Sequence, residues 1–370
     1  MISIIRIALF SLLACIPEPA LADSQQDLNR YIYNSLLLSD QPEEIRMAAR
    51  AAGRASLDDV AILDTMAANL WRYRYLHQDK LVVDTLSWLA KDLGLSGNPR
   101  YRAFLLQCRN EFSGNEKLLN YINEALEKLP AHDIPGEQSF DIEKFDFVKV
   151  AESLKALQAQ YPATGTPVTD IPATTSLHEA LSKLGLPAAI DASIRRESAM
   201  HFASWDASYL RIWYPDSGGI RFTYEKDDGA GWQALDHWPI LTSHPIRYTG
   251  KDWGLAYALW TTDRVLLRET AQRLYRSRVS NTEVLDVIAD RLWLSMEMPD
   301  PAFSDAYAWL IKVLELSQKF RYKPLIRELI AKSPDKKVVR YAEDAVNKIN
   351  SGANDPVHER YSPEPIQQAQ

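Results

Sequence analysis

Four histidines and two aspartates fall in the middle of the chain: His178, His201, His237 and His244, with Asp206 and Asp236. Imidazole and carboxylate bind metals and carry protons, so metal or acid–base chemistry is sought here first. No two of these residues have ligand spacing such as two histidines four apart on one helix face, and no metal site is expected. A histidine at a strand end, as His237 is, more often caps or packs. The Gly-x-Ser-x-Gly elbow of a serine nucleophile is absent, and Ser217-Gly218-Gly219 fits a turn. Gly229-Ala230-Gly231 lies between strand patterns instead of opening a helix, so it forms no phosphate cradle. The sequence therefore assigns no catalytic residue and no cofactor.

The aromatic residues depart from background. Six of the ten tryptophans, Trp205, Trp213, Trp232, Trp238, Trp253 and Trp260, lie between positions 205 and 260. A small sheet needs large side chains for its core, which accounts for most of them. Alternation nevertheless puts Arg211, Trp213, Arg221 and Thr223 on the side opposite Leu210, Ile212, Tyr214, Phe222 and Tyr224. Trp and Arg are favoured at binding hot spots, so these four are the candidate partner-binding residues. The competing expectation is that this face packs against a helical arm, with Trp213 filling the join.

The elements that must position this face have period two. Tyr209–Tyr214 and Ile220–Glu225 alternate around a turn at Pro215–Gly219, and Trp232–Ile240 reads as a further strand. Ala189–Arg195 and Met200–Trp205 are candidates for more. Ser176 with Glu179 reads as a capping box opening a short helix that Gly185 and Pro187 close. Residues 176–250 thus form a small α+β module. Before it, 131–175 holds a helix, with Val148, Ala151, Leu154 and Leu157 on one face, and a linker rich in Pro and Thr.

On either side the chain writes one helical unit twice. Ile45, Ala48, Ala49, Ala52, Leu63, Met66, Ala67 and Leu70 are matched 222 residues later by Leu267, Thr270, Ala271, Leu274, Leu285, Ile288, Ala289 and Leu292. The spacing i, i+3, i+4, i+7 marks helices burying one stripe. Trp71 recurs as Trp293, and the offset then falls to 221 for Asp84/Asp305, Trp88/Trp309, Arg100/Arg321 and Tyr101/Tyr322, and to 220 for Tyr121/Tyr341. Single deletions in connecting loops do this. Residues kept in both copies are expected to serve packing, since an active site is seldom needed twice. Arg46/Arg268, Asp64/Asp286, Asp84/Asp305 and Arg100/Arg321 are read as caps and inter-helix ion pairs, and Trp88 and Trp309 as core aromatics. Ser113 with Glu116 and Ser280 with Glu283 look like capping boxes.

Asp40, Pro42, Glu43, Ile45, Arg46, Ala48, Ala49, Ala52 and Gly53 resemble the bacterial HEAT repeat. The second helix of that repeat carries an Asp-Pro-x-x-Val-Arg-like start and an Ala-Ala-x-x-x-Gly-like finish. Ala52 stands where the repeat usually has leucine, and in the second copy Tyr275 replaces the glycine. The resemblance implies stacked helices forming a concave docking surface. The expected fold is mainly α: two HEAT-like arms, 23–130 and 251–350, flank the module, with a disordered tail at 351–370.

The N-terminus reads as an export signal, 1–22. Arg6 precedes an apolar core from Ile7 to Ile16, Pro17 and Pro19 break it, and Ala20-Leu21-Ala22 offers a cleavage site before Asp23. The run is shorter than the roughly 20 residues of a membrane span. The alternative is a lipoprotein, with Leu12-Leu13-Ala14-Cys15 as lipobox and Cys15 as anchor. Cleavage after Ala22 leaves Cys108 as a lone thiol in an apolar run, which reads as a buried hydrophobe. A net charge of −7 argues against a nucleic-acid partner. The expectation is a periplasmic, non-enzymatic interaction scaffold binding another envelope protein. A cell-wall glycan-binding module (peptidoglycan or another glycan on the aromatic face) and a hydrolase without a recognisable motif are the alternatives.

Overall fold

The computed structural model describes residues 19–55, 58–76, 79–131, 138–199, 203–215, 217–225, 231–238, 253–349 and 361. The apolar stretch with Cys15, and all of 351–370 except Tyr361, lie outside them. The fold is mainly helical, with a small four-stranded antiparallel sheet between helical segments. No helix among the described residues is long and apolar enough to cross a membrane. The chain forms two compact units.

The first unit holds α1 (Pro19–Leu37), α2 (Pro42–Arg54), α3 (Val60–Arg72), α4 (Lys80–Leu95), α5 (Arg102–Glu111), α6 (Glu116–Lys128) and α7 (Phe147–Gln160). The apolar stripe read from the sequence is its core: Ile45, Ala48, Ala49, Ala52, Leu63, Met66, Ala67 and Leu70 are all buried. Asp59, Asp79 and Asn115 cap α3, α4 and α6 by accepting from their first backbone N–H groups. The cap of α6 is therefore Asn115, not Ser113. Cys108 is buried within α5, and burial pushes its thiol far up. The short helix α8 (Leu177–Leu184) follows the linker.

The second unit holds the sheet and the second arm. Strands β1 (Ala189–Ala199), β2 (Ala203–Tyr214), β3 (Gly218–Glu225) and β4 (Gly231–Trp238) form an antiparallel meander in chain order. Then come α9 (Trp253–Ala258), α10 (Arg264–Arg276), α11 (Thr282–Glu297), α12 (Ser304–Ser317), α13 (Lys323–Lys332) and α14 (Lys336–Lys348). Asn281 caps α11, one residue after the expected Ser280.

The helices recur at the sequence offsets. α10 begins and ends 222 residues after α2, α13 does so 221 after α5, and α14 does so 220 after α6. The pairings recur too: α4 packs on α2, α3 and α6, and α12 packs on α10, α11 and α14. So do the polar ties. Arg100 Nη2 donates to Asp64 at 3.0 Å, and Arg321 Nη2 donates to Asp286 at 3.2 Å. Arg46 and Lys117 pair with Asp84, as Arg268 and Lys337 pair with Asp305. The doubled charges are inter-helix ion pairs, as expected. The doubled tryptophans are not core: Trp71, Trp88, Trp293 and Trp309 are only half-buried. Their faces carry cations. Lys91 Nζ lies 4.4 Å from the Trp88 ring centre, and Lys312 Nζ lies 4.4 Å from that of Trp309.

Candidate functional site

The four residues singled out on the sheet are brought together, but not at the surface. Arg211 and Trp213 are buried, Arg221 and Thr223 half-buried. Register explains the neighbours: Asp191 of β1 stands opposite Arg211 of β2, which stands opposite Arg221 of β3. Arg211 Nε donates to Asp191 Oδ1 at 2.8 Å, Trp213 Nε1 to Oδ2 at 2.8 Å, and Arg273 Nη1, from α10, to Oδ1 at 3.1 Å. Burial alone would push the Asp191 carboxyl up. The guanidiniums of Arg211 and Arg273 outweigh it and hold the group below its usual range.

Trp213 is stacked between Trp238, at 6.0 Å between ring centres, and Tyr257 of α9, at 6.5 Å. Its cross-strand partner is Gly219, where a Cβ would sit 2.5 Å from the indole, so only glycine leaves room for the ring. Arg221 Nε donates to Asp236 at 3.0 Å, with its guanidinium against the Tyr209 and Trp238 rings.

The expected exposed face is thus corrected for Arg211 and Trp213. Alternation identifies two faces but not which one is wet. Here Leu210, Ile212 and Phe222 of the other face are buried as well. Helices α9 and α10 cover the Trp213 face, and the rival expectation, packing against an arm, is the one the structure shows. Arg273 replaces Ala51 of the first copy and anchors the sheet. Being unduplicated is therefore not by itself a mark of function.

His178 Nε2 lies 3.1 Å from Asn29 Oδ1, and burial pulls its pKa down. His237 is exposed, while His201 and His244 lie outside the described residues. Among the described residues no group of three or more His, Cys, Asp and Glu could hold a metal.

An aromatic and basic cluster lies elsewhere, at the end of α3, in Trp71-Arg72-Tyr73-Arg74-Tyr75-Leu76, with the first four residues half-buried and the last two exposed. Helix α3 stops at Arg72 and a 3-10 turn, Arg74–Leu76, follows. The Arg74 guanidinium lies 4.6 Å from the Trp71 ring centre and 4.1 Å from that of Tyr75. Its Nη1 donates to the Trp71 carbonyl at 2.9 Å and its Nη2 to the Tyr75 hydroxyl at 2.7 Å. These bonds fix an otherwise flexible side chain. Below, Trp71 meets Phe104 edge-on at 6.3 Å, and Phe104 meets Phe140 at 5.0 Å. Tyr75 is 71% exposed and Leu76 53%.

The second copy carries Trp-Leu-Ser-Met-Glu-Met at 293–298 and stays helical to Glu297. The signal was available in the sequence: aromatics alternating with arginines after a helix, in one copy alone.

Comparison with known proteins finds no matching family model, no matching curated protein and no matching solved structure.

Proposed function

We propose that this chain is a non-enzymatic interaction scaffold of the bacterial cell envelope, exported to the periplasm, which binds another envelope protein. The carrying observation is the Trp71–Arg74–Tyr75 stack with Leu76 beside it. Trp, Tyr and Arg are the residue types that dominate interface energetics, and a rim of fixed polar groups around an exposed apolar residue suits a protein partner. Two bonds and two rings preorganise Arg74, so little side-chain freedom is lost on binding. The helical arms, related to HEAT repeats in this reading, are the rigid support.

The glycan alternative is less well supported. The Arg74 guanidinium already covers one face of both the Trp71 and Tyr75 rings, faces that a sugar would need for stacking.

The test is a pull-down from envelope extract with the purified chain and its Arg74→Ala/Tyr75→Ala variant. The scaffold reading expects one discrete protein retained by the wild type and lost by the variant, at unchanged melting temperature. Sedimentation of the wild type with purified peptidoglycan, with no protein retained, would establish the glycan reading in its place.

A further inference from the structure

The offset that relates the two arms reaches beyond their last helices. Tyr361 stands 221 residues after Phe140, as Tyr322 stands 221 after Tyr101. In each arm the two rings meet. Phe140 lies against Tyr101 with ring centres 6.0 Å apart and planes tilted by 44°, and Tyr361 lies against Tyr322 at 5.9 Å and 47°. The chain leaves the last helix of each arm from a matching tie. Arg102 Nη1 donates to the Leu129 carbonyl at 3.4 Å, and Lys323 Nζ donates to the Ile349 carbonyl at 2.9 Å. Tyr361 therefore takes on the second arm the place that Phe140 takes on the first.

The two places differ in one coupled detail. Asp290 of α11 corresponds to Ala68 of α3. Where the docked ring is phenylalanine, this position is alanine. Where the ring is tyrosine, it is aspartate, and the Tyr361 hydroxyl donates to Asp290 Oδ1. A hydroxyl and its acceptor are thus present together in one arm and absent together from the other. A phenol resting loosely on the arm would be satisfied by water and would need no such acceptor.

The contact is also lighter than its counterpart. Phe140 is 6% exposed, donates its backbone N–H to the Arg100 carbonyl at 3.0 Å, and meets the rings of Phe104 at 5.0 Å and Phe145 at 6.0 Å. Tyr361 is half-buried, and Leu325 stands at the position of Phe104. Its ring packs on the core of the second arm, with Tyr322 its one aromatic neighbour among the described residues. A segment held by one ring and one hydroxyl can open locally while the arm beneath stays folded.

We propose that Tyr322 and Asp290 form a docking site for a tyrosine side chain, and that its resident occupant is the chain's own C-terminal segment, held at Tyr361 as a releasable strap. While the strap is closed, the site is shut to any other tyrosine-bearing segment. The proposal is independent of the scaffold reading, because it concerns other residues in a different unit.

Calorimetric titration of the full chain with a synthetic peptide of residues 351–370 tests it. The Tyr361→Ala chain has its site vacated, and saturable binding is expected there. The wild type should bind the peptide at least tenfold more weakly, because its tethered tyrosine competes at high effective concentration. Adding Asp290→Ala, the residue type of the first arm, should weaken the peptide at least fivefold and leave the affinity of a Tyr361→Phe peptide unchanged. Trypsin gives a second readout that needs no vacated site, since Arg360 precedes Tyr361. Cleavage after Arg360, followed by mass spectrometry, should be at least fivefold faster in the Asp290→Ala chain than in the wild type. Equal affinity of the peptide for wild type and Tyr361→Ala, no saturable binding to a folded Tyr361→Ala chain at millimolar peptide, or an unchanged cleavage rate in Asp290→Ala would overturn it.

Discussion

The hydroxyl of Tyr101 donates to Oδ1 of Asp64 at 2.9 Å, so a residue in the turn before α5 is tied back to the middle of α3. The second arm repeats this tie: Tyr322 donates to Asp286 at 2.8 Å. Both tyrosines are fully buried, so the bond satisfies a hydroxyl that has left water and a carboxylate that is partly shielded.

Tyr101→Phe and Tyr322→Phe should each cost about 1.5–3 kcal/mol, the range for a hydrogen bond to a charged group. The two ties lie in separate compact units and share no partner, so the double variant should lose close to the sum. Urea unfolding checks this. A phenylalanine at either position without effect would mean that the hydroxyl is not tied in solution.

Asp92 of α4 is buried, and neither carboxylate oxygen has a hydrogen-bond partner. Its neighbour is Gly53, where a Cβ would sit 2.2 Å from Oδ1. Burial pushes its pKa up to about 8, against the opposing charges of Lys91, Lys128, Arg50 and Arg54. The second copy has Val313 there, also buried. The folded chain thus holds a proton that the unfolded chain releases near pH 4, so this group lowers stability progressively as pH rises from about 4 to about 8. Asp92→Val should raise stability at pH 7 by about 2–4 kcal/mol and flatten the decline over that interval. Melting curves from pH 5 to pH 9 decide it. An unchanged slope would show that Asp92 is ionised in the fold.

Asp191 accepts from Arg211, Arg273 and Trp213 in a dry site. Asp191→Ala leaves two buried guanidiniums without their carboxylate and should cost at least 3 kcal/mol. Arg273→Ala restores the residue type of Ala51 in the first copy and leaves Arg211 paired, so it should cost less. The reverse ranking in thermal melts would contradict the reading of Asp191 as the hub.

The helical framework was legible because duplication and the 3.6-residue period report the same stripes. Ile45 to Leu70 and Leu267 to Leu292 could be named as buried from spacing alone, Ala52 and Leu274 included. Tyr209–Tyr214 and Ile220–Glu225 were legible from alternation, but Met200–Trp205 is no separate strand: Ala203–Trp205 opens β2. What alternation does not carry is which face a second layer covers, since Trp213 reads the same beneath α9 as beneath water. Long-range pairs such as Asp191 with Arg273 were equally hidden, because neither residue has a local pattern. Trp88 and Trp309 were misplaced for a related reason. Recurrence shows that a residue serves the unit, but a ring under a lysine serves it from the surface. The Trp71–Tyr75 stack was missed because it depends on a difference between the copies, which only the contrast of α3 with α11 exposes.

The claim that the end of α3 is a docking surface is tested most directly by photo-crosslinking in living cells. A photoreactive phenylalanine analogue replaces Tyr75, and in a control chain it replaces Glu297, the equivalent position of the second copy. The scaffold account predicts a discrete adduct with one other envelope protein from position 75 and none from position 297. Adducts of equal yield from both positions, or none from position 75 in a folded and exported chain, would contradict it.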